Sequence, residues 1–143
     1  MTSMESGNIG VDPRLSFDDP LLDGLLILCK LHGAKVSRAS LSAGLPLNKQ
    51  RLSLDLLPRA AARASLQARL LRRELADISA LNLPVMLILN NGRTAVLRRF
   101  GDDGQLLILP SEADGGEQWV STDELAENYS GQALFARPRH ELE

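Results

Sequence analysis

The stretch Val85-Met-Leu-Ile-Leu89, Asn90-Asn-Gly-Arg93, Thr94-Ala-Val-Leu-Arg-Arg-Phe100 constrains the fold of this 143-residue chain most tightly. A short, continuous apolar run reads as a buried strand. Asn-Gly between two such runs is the strongest local signal for a β-hairpin. Gly101-Asp-Asp-Gly104 turns the chain again into Gln105 to Leu109, so three antiparallel strands are expected in succession. A polar loop to Gln118 leads into Trp119-Val-Ser121. Thr122 then caps a short helix ending near Tyr129, and Ala133 to Ala136 offers a last strand.

Upstream of Leu83 the pattern is helical. Ser16-Phe-Asp-Asp-Pro20 places cap-type residues before a proline suited to a first helical turn. Leu21, Leu22, Leu25, Leu26, Leu28 and Cys29 cover most of that helix's circumference, which predicts a helix central to the core. Gly33 stands where a helix C-terminus favours glycine. A second short helix is expected over Ser37 to Ala43, stopped by Gly44 and Pro46, and a third over Leu52 to Ala64, which Pro58 must kink or restart. Leu66 to Leu71 alternates as a strand, and Glu74 to Ile78 reads as one further helical turn. Helices first and an antiparallel meander second make the fold class α+β, with N-terminal helices packed on a C-terminal antiparallel sheet. Residues 1–15 read as a flexible leader, 16–137 as one domain, and 138–143 as a tail.

Composition narrows the function by exclusion. With 44% apolar and 24% charged residues, the chain matches an ordinary soluble domain. One cysteine excludes a disulfide framework and any multi-cysteine metal site. A net charge of -2 argues against a nucleic-acid partner. No run approaches the ~20 apolar residues of a membrane span, and Met-Thr-Ser-Met-Glu has neither the basic start nor the apolar core of a secretory signal.

The residues offer little catalytic machinery of their own. Cys29 and His32 share a helical face, but Cys29 lies in an apolar third turn, where burial raises a thiol's pKa. His32 suits a helix C-terminus, where the dipole favours its cationic form, and His140 falls in the charged tail. Two distant histidines and one cysteine make no metal site. Gly101-Asp-Asp-Gly104 is too acidic to cradle phosphate. The pairs Arg72-Arg73 and Arg98-Arg99 could meet an acidic partner, although neighbours on a strand face opposite ways. Asp18-Asp19 and Asp123-Glu124 complement helix starts.

Five segments in order over about 120 residues resemble a known family. They are Asp19-Pro-Leu-Leu-Asp-Gly-Leu-Leu-Ile-Leu-Cys-Lys-Leu-His-Gly33, Leu81-Asn-Leu-Pro-Val-Met-Leu-Ile-Leu-Asn-Asn-Gly-Arg93, Leu106-Leu-Ile-Leu-Pro110, Trp119-Val-Ser-Thr-Asp-Glu-Leu125 and Tyr129-Ser-Gly131. The order resembles the papain-like N-terminal domain of some bacterial ABC exporters. One branch is the cysteine peptidase that trims double-glycine leaders from bacteriocins; the other is its degenerate counterpart in type 1 secretion. In the active branch the cysteine opens the first helix, thirteen residues before the closing glycine, a count that lands on Pro20. The resemblance assigns the histidine to Thr94, the aspartate to Pro110 and the oxyanion glutamine to the vicinity of Arg14. None of these residues can form an acyl-enzyme or relay its proton.

The resemblance therefore implies a non-catalytic domain of a type 1 secretion ABC transporter, closest to the exporters of large RTX biofilm adhesins. It would bind unfolded RTX protein substrate at the cytoplasmic face of the inner membrane. Its other partners would be the exporter's own transmembrane and nucleotide-binding domains, which would follow residue 143, and ATP and Mg would belong to the latter. No cofactor is expected in this domain. Ile88, Arg93, Thr94, Arg98, Phe100 and Tyr129 are the candidate substrate-binding residues, because they surround the family's cleft or could attract an acidic client. The alternatives are an intramolecular scaffold against the nucleotide-binding domain and a peptidase acting through Cys29.

Overall fold

The computed structural model describes residues 19–47, 51–113 and 116–138. The expected leader lies outside these residues, as do Arg14, His140 and nearly all of the tail.

Helix α1 spans Pro20–Leu31. Asp19 is its N-cap, Pro20 occupies the first turn, and Gly33, at φ +85°, follows the C-cap His32. Helix α2 is Arg38–Ser42, closed by a capping box in which Ser37 and Ser40 bond each other's backbone N–H. The expected third helix is divided at the proline: a 3-10 turn over Leu54–Leu56 runs into α3, Leu57–Ala62, with Pro58 in its first turn. Pro58 restarts the helix there because its missing N–H is no loss at a first turn.

The strands are β1 (Leu66–Arg72), β2 (Val85–Leu89), β3 (Thr94–Phe100), β4 (Gln105–Pro110), β5 (Gln118–Ser121) and β6 (Tyr129–Pro138), with α4 (Thr122–Asn128) between the last two. They form one antiparallel sheet in the order β1-β6-β2-β3-β4-β5. The last strand is ten residues long, well beyond the Ala133 to Ala136 segment. It needs that length to pair with β1 on one side and β2 on the other. Helices packed on this sheet give the α+β, papain-like architecture.

Side-chain alternation splits the core into two layers. On one face Met86, Ile88, Val96, Leu109 and Leu134 pack against Leu22, Leu25, Leu28 and Cys29 of α1 and Leu57, Ala60 and Ala61 of α3. On the other, Val85, Leu87, Ala95, Leu97, Leu106, Ile108 and Ala133 meet Leu75, Ile78, Val120 and Leu125. The β2–β3–β4 strands are apolar on both faces because both are covered, which explains why Val85 to Leu89 reads as a continuous run.

Candidate functional site

The start of α1 and the start of β3 meet. Asp19 is buried, and its carboxylate accepts the Leu22 N–H at 3.3 Å and the Leu52 N–H at 2.9 Å. It therefore caps the helix and also ties down a segment more than thirty residues away, a role that dipole complementarity alone does not describe. One residue on, the Pro20 carbonyl accepts a hydrogen bond from the Thr94 hydroxyl at 2.7 Å. The Thr94 N–H points to the hydroxyl of the buried Ser111, 3.5 Å away. Thr94 itself is 0% exposed.

Gly24 completes this junction. A Cβ there would overlap Thr94 Oγ1 and stand 3.0 Å from Thr94 Cβ and 3.1 Å from Met86 Cε. The helix backbone can approach β3 this closely only because residue 24 carries no side chain. Nothing in the sequence pattern singled out Gly24 or Ser111. A glycine inside an apolar helix was the one available sign of close backbone approach.

Strand parity separates the remaining assignments. Ile88 lies opposite Thr94 in the β2–β3 register, so Pro20, Ile88 and Thr94 do come together. Pro110 pairs with Ala95, whose side chain belongs to the other layer. The residue of β4 that shares the α1 face with Thr94 and Val96 is Leu109. Ile88, at 6% exposure, and Thr94 are core residues here.

The other candidates are dispersed. Phe100 sits at the far end of β3 in the opposite layer, beside a shallow groove of about 200 Å³ shared with Leu75, Ile78 and Thr122. Tyr129 donates its hydroxyl to the Arg73 carbonyl at 2.6 Å. Its pKa is pushed up to about 12 by burial and by the Glu74 carboxylate, against the opposing Arg72 and Arg73. Arg93 ends the hairpin turn, whereas Arg98 and Arg99 lie five and six residues along β3, roughly 17–20 Å away at strand rise. Arg98 is the extra residue at a register shift and forms an ion pair with Glu117. These three arginines form no single patch.

Cys29 and His32 do not make a dyad. Cys29 is fully buried, and desolvation pushes its thiol up to about 11. It lies nine residues past Pro20, about 13 Å down the helix. The two residues are joined only through the backbone, where the His32 N–H donates to the Cys29 carbonyl at 3.1 Å, and His32 Nε2 is enclosed without any partner. The expectation that the helix dipole favours His32 as a cation is corrected: burial lowers its pKa below the ordinary 6.5, because desolvation disfavours the imidazolium. Among the described residues no group of three or more potential ligands could hold a metal ion, and no helix is long and apolar enough to cross a membrane.

The model of the peptidase C39 family matches residues 18–141. The N-terminal peptidase C39-like domain of the toxin secretion ATP-binding protein from Vibrio parahaemolyticus is 33% identical, with a TM-score of 0.80 over 86% of this chain and 99% of that one. The peptidase domain of Streptococcus ComA, a bifunctional ABC transporter involved in quorum sensing, superposes with a TM-score of 0.72 at 20% identity, covering 86% of this chain and 95% of the other. A double-glycine-motif protease from an AMS/PCAT transporter, solved with a leader peptide, gives 0.69 at 16% identity over 84% of each chain. These last two likenesses concern the fold. No curated protein matched. By the extent of the family match and its agreement with the six-stranded fold, the chain belongs to the peptidase C39 family.

Proposed function

We propose that this chain is the non-catalytic substrate-recognition domain of a type 1 secretion ABC transporter. It binds unfolded RTX protein, of the large-adhesin kind, on the cytoplasmic side of the inner membrane before export. The observation that carries the non-catalytic reading is the Thr94–Pro20 junction. The two positions that the family resemblance gives to a histidine and a cysteine hold a buried hydroxyl bonded to a helix carbonyl, and Gly24 leaves no space between helix and strand. A nucleophile and its base need contact with each other and room for a scissile carbonyl. Thr94 and Pro20 do touch, but Pro20 has no nucleophilic side-chain atom, Thr94 has no basic one, and its hydroxyl is already bonded to the Pro20 carbonyl.

The transporter context is supported by the 33% identity to a domain of a toxin secretion ATP-binding protein. Client binding is supported more distantly, by the leader peptide held in the same fold by the AMS/PCAT protease. On this reading the domain works without a cofactor, and ATP and Mg act in the transporter's nucleotide-binding domain.

The test is an NMR titration of the isotope-labelled domain with a calcium-free RTX segment carrying its secretion signal, with the client checked for cleavage afterwards. Localised, saturable shifts and an intact client are expected. Cleavage of the client overturns the non-catalytic reading. No shift at millimolar client overturns the receptor reading and favours a scaffold that contacts the nucleotide-binding domain.

A further inference from the structure

One surface of the molecule remains unaccounted for by the junction of α1 and β3. Along β1 and the residue that follows it, Gln67, Arg69, Leu71 and Arg73 alternate onto the sheet face away from the helices, while Ala68 and Leu70 pack toward the helical layer. Register places Arg69 opposite Phe135 and Gln67 opposite Arg137, so Arg69 and Arg137 are diagonal neighbours. The loop carrying Leu81 and Leu83 forms the facing wall of a groove of about 610 Å³, the size range of ligand sites.

The groove's chemistry is one-sided. Arg69, Arg73 and Arg137 line it, and no aspartate or glutamate does, in a chain whose net charge is -2. Like charges held diagonally across two strands repel each other unless an anion lies between them. Its floor and walls are apolar: Phe135, with Arg73 over its ring at 6.0 Å, then Leu71, Leu83 and Leu81. Leu81 is 94% exposed although it is held on a 3-10 turn capped by Ser79. The unpartnered His32 Nε2 also belongs to a residue lining the groove.

We propose that this groove, between β1, β6 and the Leu81–Leu83 loop, docks an acidic, extended polypeptide segment that sets carboxylates on Arg69 and Arg137 and a large apolar side chain on Phe135 and Leu81. Charge complementarity selects the acidic partner. The apolar floor selects a polypeptide with side chains over a bare polyanion. This proposal rests on the reading of the domain as a substrate receptor and gives that reading a location away from the Thr94 junction.

The experiment uses two unstructured twelve-residue peptides of Asp, Gly and Leu, one as written and one with every Asp replaced by Asn, together with a single-stranded oligothymidylate. Each is titrated into the labelled domain, alongside the calcium-free RTX segment. Saturable shifts at Arg69, Leu71, Leu81 and Phe135 are expected from the acidic peptide, weakened at least tenfold for the neutral one and at least tenfold in Arg69→Glu and Arg137→Glu. Leu81→Ser, which leaves every charge in place, should weaken binding severalfold. Thermal melts of each variant check that it is folded. Equal shifts from oligothymidylate mean a general anion site and overturn the proposal. Shifts from the RTX segment centred on Gly24 and Thr94, or insensitive to Arg69→Glu, overturn it while leaving the receptor reading in place. If the acidic peptide binds the groove and the RTX segment binds nowhere, the docking site stands and the RTX assignment falls. Binding by neither overturns both.

Discussion

The two faces of the sheet have been given opposite finishes. On the helical face, α1 lies so close to β3 that Thr94 has no exposure and Gly24 cannot accept a Cβ. On the other face, at the β1–β6 end, three arginines and a leucine stand open to water around an uncovered groove. The place where the family resemblance puts peptidase chemistry is closely packed around Pro20, Gly24 and Thr94, with the Asp19 carboxylate buried beside it. The groove lined by exposed arginines lies elsewhere. On the proposed reading, kinship in fold locates the old cleft while the client docks elsewhere, because access and polarity are set by side chains and not by the strand order.

If this contrast is right, substitutions of equal size should have very different effects on the two faces. Leu28→Ala, at a fully buried position of α1, should cost about 2–5 kcal/mol of unfolding free energy, read from denaturant melts. A loss under about 1 kcal/mol would mean that the helical layer is looser than described. Asp19→Ala should come next, about 2–3 kcal/mol, because it removes a helix cap and leaves the Leu52 N–H buried without an acceptor.

Gly24→Ala sets overpacking of about 1–3 kcal/mol against a gain of up to about 1 kcal/mol in helix propensity. Net destabilisation is expected, since the displaced atom is a short, bonded hydroxyl and not the end of a flexible chain. The pair Gly24→Ala with Thr94→Ala should be less destabilised than the sum of its parts, and strict additivity would show that the two residues are not in contact. At the other extreme, Leu81→Ser should change stability by no more than about 0.5 kcal/mol, since the side chain is almost wholly solvated.

Acid should act through the residue at the border of the two regions. The folded-state pKa of His32 lies below its unfolded value, so the unfolded chain takes up a proton first as pH falls through 6.5. Stability is then lost on the acid side of that value, down to the folded-state pKa, and is fully present above 6.5. His32→Gln should flatten melting temperature against pH between 5 and 7, and an unchanged slope would assign the acid sensitivity to other groups.

Much of the fold was legible because its signals are local. The Asp19-Pro20 start and Gly33 end of α1, the Asn-Gly hairpin and the break at Pro58 each follow from the backbone preferences of a few adjacent residues. The candidate site was less legible. Ile88 and Thr94 were correctly neighbours, yet the same apolar pattern that made them so also closed them to solvent. Pro110 illustrates the sensitivity of strands: one residue along β4 separates it from Leu109, and that single step changes the face. The arginine groove carried a faint signal, the alternation Gln67, Arg69, Leu71, Arg73, but a third of its lining comes from a strand more than sixty residues away.

What the sequence by itself determined was therefore which elements form and where most of them start and stop, together with the absence of a cysteine or histidine at Pro20 and Thr94. Only the tertiary structure decided that β6 inserts between β1 and β2, that Arg137 comes to lie beside Arg69, and that α1 presses on β3 through Gly24. Caps and turns are settled by neighbours in the chain. Strand order, register and the depth of a helix–sheet contact are settled by burial of the whole apolar surface at once, and no short window of sequence contains that information.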